Sequence, residues 1–482
     1  MRFGTDGWRA VIGEDFTVAN VARVAQATAD WLVQEGRAGD GVVVGYDTRF
    51  QSRRFAEEAA SVLAANGLRV LLCSAPAPTP AVTWAIRQHG LGGGVMITAS
   101  HNPPEYNGFK LKAHYAGAAL PEMTAQVERL VAHNRDAGRE PRRLDPHDLP
   151  RRVEPFDPVP GYLAQLERYV DLEAVGRAGL RVVVDFMHGA GRGCLDRVLE
   201  QAGVEVVPVR AEQRPDFGGT PPEPIPRNLR PARAAVVLHG AAAGLCLDGD
   251  ADRVAAVDEE GGVVDAHRVF ALLLQHLHED RGLDGTVVKT FAGSRMIQRL
   301  ALAYGLPYVE TPVGFKHVCR RALQETVLIG GEESGGIGVR DHMPERDGIL
   351  CNLLLLEMMV QRGRSLAGLV EDLMDRVGRH HFDRADLRLD PGRVDALMQR
   401  LREAPPDAFA GFPVTHVDPL DGVKLILGDH GWILFRASGT EPVVRIYAEA
   451  DEPAKVRRLM AEGVACARGT AGDQGVADAA PE

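Results

Sequence analysis

A chain of 482 residues is too long for one hydrophobic core and is expected to form three or four domains. Its hydrophobic content of 45% and charged content of 25% are those of a soluble globular protein. The net charge of −11 argues against a broad nucleic-acid surface, so an anionic substrate would need a local basic pocket.

The N-terminus, Met1-Arg2-Phe3-Gly4-Thr5-Asp6-Gly7, carries no apolar signal region. Residues 1–140 then alternate strands and helices. Apolar spacing predicts a helix over 18–35, a buried strand over 41–46, a helix over 55–65, a strand over 69–73 and a helix over 80–89. This alternation implies a mostly parallel sheet, whose ligands bind beyond the carboxyl ends of its strands. The apolar run 94–97 leads into Thr98-Ala99-Ser100-His101-Asn102-Pro103. Pro103 and Pro104 forbid a helix there, which places Ser100 on an exposed loop beside a histidine. Ser and Asn before prolines are also ordinary turn residues. Asn107-Gly108 is a turn signal that puts Lys110 on a following strand. Residues 134–160, rich in Arg, Asp and Pro, read as a linker.

The second segment repeats the grammar, with strands over 181–185 and 204–209 around a helix over 191–202. Residues 221–226 form a rigid proline loop, and strand 244–247 runs into Asp248-Gly249-Asp250-Ala251-Asp252-Arg253. Carboxylates at i, i+2 and i+4 point to one side of an extended segment. Oxygen ligands alone favour Mg²⁺, Mn²⁺ or Ca²⁺ over zinc. An EF-hand is excluded by Arg253 at the position that needs glycine. A solvated acidic turn stays open.

The third segment predicts helices over 267–279 and 294–303, strands over 286–289, 307–310 and 326–329, and a helix opened by Pro312-Val313-Gly314-Phe315-Lys316. Gly330-Gly331-Glu332-Glu333-Ser334-Gly335-Gly336 follows; its glycines admit a ligand and its Glu and Ser can bind sugar hydroxyls, though glycine turns are common. The most apolar helix, 349–360, is too short to span a bilayer and is interrupted by Asn352 and Glu357, so no membrane partner is expected. The last segment reads as an α+β module with strands over 380–389, 421–427, 432–436 and 443–448 and helices over 392–402 and 453–464. Its Arg436-Ala437-Ser438-Gly439-Thr440-Glu441-Pro442 stretch, with Arg445 beyond, suits a phosphate cradle or a hairpin with solvated charges. The scattered cysteines Cys73, Cys194, Cys246, Cys319, Cys351 and Cys466 read as buried thiols of a reducing cytoplasm.

Five stretches in this order, Phe3 to Arg9, Thr98 to Pro103, Asp248 to Arg253, Gly331 to Gly335 and Arg436 to Pro442, resemble the α-D-phosphohexomutase family of phosphoglucomutases and phosphomannomutases. The resemblance implies an α/β fold of four domains around a central cleft, three with mixed α/β sheets and a smaller C-terminal α+β domain. The expected domains are 1–145, 155–257, 258–375 and 380–466, with a disordered tail over 467–482. It implies that Ser100 carries a phosphoryl group and that Asp248, Asp250 and Asp252, with a phosphoserine oxygen, hold one Mg²⁺ per chain. A hexose phosphate would pass through a bisphosphate, glucose 1,6-bisphosphate, which also activates.

By the same resemblance, Arg9 and Arg253 approach the reacting phosphoryl group and His101 neighbours it. Lys110 is placed for acid-base work if its environment lowers its pKa. Glu332 and Ser334 contact sugar hydroxyls, and Gly314 and Lys316 form a second sugar loop. Arg436, Ser438, Gly439, Thr440 and Arg445 hold a phosphate as the last segment closes over the cleft.

Two departures stand out. Some dual glucose/mannose members carry His at Gly336, and other phosphoglucomutases carry lysine near Arg346, whereas arginine does not readily serve as a base. His342 is the substitute considered. The expected protein is a cytoplasmic phosphoglucomutase, monomer or homodimer, with phosphomannomutase the alternative. The rival from another class, a noncatalytic sugar-phosphate-binding protein, is disfavoured by the intact serine loop, aspartate triplet and Lys110.

Overall fold

The computed structural model describes residues 1–4, 6–438 and 443–469. The chain divides into two compact units, Met1–Gly293 with Ile297–Leu373, and Ser294–Met296 with the residues from Met374 onward.

The first unit contains three sheets built on one plan. In the first, strands Val42–Tyr46, Val70–Cys73 and Gly93–Ile97 run parallel, and Tyr106–Ala113 turns back antiparallel between Gly93–Ile97 and Trp8–Val11. In the second, Ala243–Leu247 lies parallel to Arg181–Asp185, and Val254–Asp258 returns antiparallel to it. In the third, Val327–Gly331 lies parallel to Thr286–Thr290, and Ile337–Val339 returns antiparallel. The parallel strands are Val-, Leu- and Ile-rich and almost wholly buried, as sheets covered on both faces require. Each hairpin therefore starts at the carboxyl end of a buried parallel strand, and the three hairpins carry the Ser100, Asp248 and Glu332 loops.

Helices cover these sheets through one apolar stripe. Val18–Gln34 starts at Thr17, whose side chain accepts from Asn20 N, and buries Val21, Val24, Ala25 and Leu32. Gly348–Arg362 is capped by Asp347 and stops at Gly363 in the left-handed conformation. No helix among the described residues is long and apolar enough to cross a membrane. All six cysteines are buried free thiols.

The second unit is built on a five-stranded antiparallel sheet, ordered His381–Arg388, Val443–Ala450, Trp432–Ala437, Val423–Ile426, His416–Asp418, with a short hairpin Ala408–Phe409 and Phe412–Pro413 beside it in sequence. Helices Pro391–Glu403 and Pro453–Arg468 cover one face, packing Leu397, Leu401, Val456 and Leu459 against Leu425, Ile433, Phe435, Val444 and Ile446.

Three sequence expectations are corrected. The linker over 134–160 contains strand Val153–Phe156, which joins the first sheet parallel to Val70–Cys73. Asn107-Gly108 is not a turn but lies inside strand Tyr106–Ala113. There a Cβ on Gly108 would meet Thr98 O at 2.4 Å, so close strand packing explains the glycine. The disordered tail expected over 467–482 overlaps helix Pro453–Arg468, and residues 470–482 lie outside the described residues.

Candidate active site

Strand Gly93–Ile97 delivers Thr98, whose Oγ1 donates to Asp47 Oδ2 at 2.6 Å and accepts from Ser100 N at 2.9 Å. The turn that follows holds Ser100 at φ +53°, a left-handed conformation that costs a non-glycine residue about 1–2 kcal/mol. Its Oγ donates to Asp248 Oδ2 at 2.6 Å and lies 3.4 Å from His101 Nδ1. Arg9 donates to Asn102 Oδ1 at 2.7 Å. Ser100 is only 1% exposed, not on the exposed loop the prolines suggested. The Asp248 hairpin of the second sheet covers it so closely that a Cβ on Gly249 would meet Ser100 O at 2.6 Å.

The aspartate triplet also differs from expectation in how it converges. Residues 248–253 form a tight loop between two strands rather than an extended segment, with Ala251 at φ +60°. Asp248 Oδ1 accepts from the backbone of Asp252 and Arg253 at 3.0 and 3.1 Å. One carboxylate oxygen from each of Asp248, Asp250 and Asp252 lies within 4.8 Å of the others. All three side chains are buried.

Two unit charges 4 Å apart interact by about 4 kcal/mol at an effective dielectric of 20, so these carboxylates need cations. Burial, then Asp250 and Asp252, push the Asp248 carboxyl well above its usual range. Burial also pushes Asp250 up, but Lys110, Thr79 and Arg346 together more than offset this and hold it low. Asp250 Oδ1 and Asp252 Oδ1 are buried and accept no hydrogen bond among the described residues. Two orphaned carboxylate oxygens beside Asp248 and the Ser100 hydroxyl are hard donors of the kind Mg²⁺ takes, so the residues present fit that ion.

Lys110 and Arg346 close the cluster from the other side. Lys110 Nζ lies 2.8 Å from Asp250 Oδ2, 2.8 Å from Asp252 Oδ2 and 3.0 Å from Asp6. The condition set for acid-base work, a lowered lysine pKa, is not met in this environment. Burial depresses the ammonium, but the three carboxylates outweigh it and raise Lys110 above the usual lysine range. Arg346 bonds Asp6, lies 2.8 Å from Asp252 Oδ2 and donates to Glu332 Oε2 at 3.3 Å. Lys112 pairs with Glu345 at 2.6 Å. Burial raises the Glu332 carboxyl, with Arg346 opposing. Arg253 is 6% exposed, and its Nη1 and Nε stand 3.7 Å from Glu223 and 3.9 Å from Asp248, too far to bond them. Those buried donors are what an anion would satisfy.

His342, the substitute considered from sequence, is enclosed by its neighbours. Its ring is 1% exposed, stacks on Trp84 and faces Tyr169, and Nε2 bonds Asp347, which also accepts from Tyr162. Ser334 is half-buried in the third hairpin, and Gly314 precedes helix Phe315–Ala322 with Lys316 in its first turn. In the second unit, Arg436 and Arg445 are directly opposite each other on neighbouring strands, on the sheet face away from the helices. Like charges in that register disfavour each other unless an anion joins them. Asp421 lies 2.8 Å from Arg436, Asp386 lies 4.0 Å from Arg445, and Ser438 N donates to Val443 O. Gly439 and Thr440 lie outside the described residues.

Sequence reasoning assigned no role to Asp6, Thr79, Lys112 or Glu345. Thr79 Oγ1 donates to Asp250 Oδ2 at 2.5 Å. Lys110 and Lys112 alternate with Phe109 and Leu111, a pattern that ordinarily marks one wet strand face, yet both lysines are buried.

Family models described as phosphoglucomutase/phosphomannomutase domains I, II, III and the C-terminal domain match residues 1–137, 160–262, 265–377 and 395–465. A phosphoglucomutase/phosphomannomutase of Thermococcus kodakarensis is 33% identical, over 96% of this chain and 97% of its own. The chain belongs to the α-D-phosphohexomutase family. A phosphoglucosamine mutase of a Ruegeria species is 31% identical, over 96% of this chain and 98% of its own. The crystal structure of a Thermus thermophilus protein superposes with a TM-score of 0.86 at 37% identity, covering 97% of this chain and 99% of that one. This phosphohexomutase is thus an enzyme of the isomerase class, and its four-domain α/β architecture is the family's.

Within this phosphohexomutase, the departures at Gly336 and Arg346 are one structural fact. A Cβ on Gly336 would meet Arg346 Cδ at 2.3 Å. Arg346 cannot easily yield, because its guanidinium is tied to Asp6, Asp252 and Glu332. Gly336→Ala should therefore destabilise by about 1–3 kcal/mol, the usual cost of overpacking. In an Arg346→Ala background the same change should cost under about 0.5 kcal/mol, since the collision is gone. Denaturant unfolding of the four proteins measures the coupling, and additive costs would refute it.

Proposed function

We propose that this phosphohexomutase interconverts α-D-glucose 1-phosphate and glucose 6-phosphate. The observation that carries the reading is Ser100 Oγ bonded to Asp248 Oδ2 at 2.6 Å, beside two buried carboxylate oxygens that accept no hydrogen bond among the described residues. Ser100, as phosphoserine, gives its phosphoryl group to the free hydroxyl of the hexose phosphate. The resulting glucose 1,6-bisphosphate reorients and returns its other phosphoryl group to Ser100. Asp248, Asp250 and Asp252 would hold one Mg²⁺ with a phosphoserine oxygen; when bound, the ion offsets charge on the group transferred.

Arg9 and Arg253 are the proposed contacts to that group. His101 is the proposed neighbour that donates to it. Lys110, within 3.0 Å of three carboxylates, stands where it offsets their charge. Glu332, Ser334, Gly314 and Lys316 are proposed for the sugar. Arg436, Ser438, Gly439, Thr440 and Arg445 are proposed for the nonreacting phosphate.

The glucose assignment rests on the Gly-Glu-Glu-Ser-Gly-Gly loop at 331–336, which is closer to glucose-type loops than to glucosamine-type ones. Phosphomannomutase is the second reading, supported by the double name of the Thermococcus relative. Initial rates with α-glucose, α-mannose and α-glucosamine 1-phosphates, each with Mg²⁺ and the matching bisphosphate, test it. Glucose 1-phosphate should show the highest kcat/KM; preference for either other sugar overturns the assignment.

Arg436→Ala should lower kcat/KM by about 10–100-fold with glucose 1-phosphate and glucose 6-phosphate alike, the scale of one charged hydrogen bond. Phosphorylation of Ser100 should persist. Normal rates in both directions would remove Arg436 from the phosphate site, and a one-sided loss would restrict it to one substrate orientation.

A further inference from the structure

The Ser100 turn has an unusual source of order. Pro103 and Pro104 lack backbone N–H groups, so the turn has few donors of its own for the carbonyls it folds inward. Arg49 supplies them. Its Nη2 donates to Ser100 O at 2.5 Å and Asn102 O at 2.7 Å, and its Nη1 to Pro103 O at 2.8 Å and Tyr106 O at 3.1 Å. One guanidinium thus gathers four carbonyls of a seven-residue stretch. The residue is 3% exposed.

The fork is itself fixed from two sides. Asp47 Oδ2 lies 3.2 Å from Arg49 Nε, and Asp47 Oδ1 accepts from Arg49 N at 3.0 Å. Asp47 also accepts from Thr98 Oγ1 at 2.6 Å and Ser52 Oγ at 2.8 Å, so it holds both the arginine and the start of the serine turn. On the other side the Phe217 ring centroid lies 4.8 Å from Arg49 Cζ, a cation–π distance. Phe217 belongs to the second sheet's domain, is 1% exposed and sits at φ +48°.

The geometry points to Arg49, oriented by Asp47 and covered by Phe217, as the positioning residue that holds the serine turn in its left-handed conformation and so aims Ser100 Oγ at the aspartate triplet. Arg49 reaches main-chain carbonyls rather than Oγ, so it acts through the turn and not on the reacting atoms. A lysine has one donor centre and cannot span four carbonyls. A strained residue persists only where its surroundings over-determine it, and here one cation does so. The catalytic half of this inference rests on the proposed use of Ser100 as phosphoryl carrier; the ordering of the turn does not.

The test compares wild type with Arg49→Lys and Phe217→Leu in the full chain. Amide hydrogen exchange, read by mass spectrometry, should speed up in peptides covering 99–107 of Arg49→Lys. Exchange in strands Val42–Tyr46 and Ala243–Leu247 should be unchanged. In the same variant kcat should fall about 100-fold, the cost of misplacing a reacting group by roughly 1 Å, while KM for hexose phosphate stays within about twofold. Phe217→Leu, which keeps the arginine but removes the ring that holds it in place, should raise exchange over the same peptides to a smaller degree and lower kcat about tenfold; it decides the matter if Arg49→Lys does not fold.

Unchanged exchange over 99–107, or exchange raised throughout both sheets, overturns the positioning role. A raised KM at normal kcat also overturns it, since that is the mark of a substrate contact. If the wild-type enzyme turns over no hexose phosphate, the functional reading fails, and the exchange pattern still decides whether Arg49 orders the turn.

Discussion

Ser100→Ala should show no measurable turnover, a loss on the order of 10⁶-fold, the scale seen when a covalent nucleophile is removed. The expectation rests on geometry. Ser100 Oγ is buried and bonded to Asp248 at 2.6 Å, beside a triplet in which two carboxylate oxygens accept no hydrogen bond among the described residues. Ser100→Gly should be equally inactive yet unfold at or above the wild-type temperature. At φ +53° glycine is relieved of strain that serine carries, worth about 1 kcal/mol, which offsets the lost hydrogen bond. A residue that costs stability where it stands is retained for function. Peptide mass spectrometry of active enzyme should place one phosphoryl group on Ser100. Phosphate found elsewhere, or full turnover in Ser100→Ala, sinks the mechanism.

Asp250→Asn should lower turnover by about 10³-fold and abolish the stabilisation that Mg²⁺ confers. An ion worth several kcal/mol of charge compensation accounts for that loss. Binding at a hundredfold excess over Kd stabilises the wild type by about 2.7 kcal/mol, so calorimetry with and without Mg²⁺ reads the site apart from activity. The metal-free variant should be only modestly less stable than the metal-free wild type, because Lys110 holds the Asp250 carboxylate low and the substitution loses that pairing. Against that, it loses one of three crowded like charges, and Lys110 keeps Asp252 and Asp6 as partners. Unchanged rate and Mg²⁺ dependence would contradict the assignment. A large loss of metal-free stability would mean that Asp250 serves mainly as the counter-ion of Lys110.

The three α/β segments, the antiparallel module after them and the Ser100, Asp248 and Glu332 loops at strand ends were legible in the order of the residues. Those signals are local: apolar runs of strand length, helical spacing, and glycine, proline and aspartate clusters at strand ends. The Ser100, Asp248 and Glu332 loops could be picked out because each follows a buried strand, where ligands of such sheets bind. The Asp47-Thr48-Arg49 stretch ends strand Val42–Tyr46 in the same way, and that rule could have drawn attention to it.

What those residues meet was settled by packing. Prolines in the 103–104 stretch suggest exposure, but the turn is covered by a hairpin 148 residues away in sequence. The sequence left open whether the environment of Lys110 lowers its pKa; burial would lower it, but three carboxylates from two segments, 6 and 250–252, raise it. Gly336 and Arg346 read as two separate departures, and packing makes them one, because the arginine side chain occupies the space a side chain at 336 would take. Local pattern reports which residues leave a strand end and in what order. Burial, charge balance and close contact are properties of segments brought together from distant parts of the chain, so they exist only once the sheets have packed.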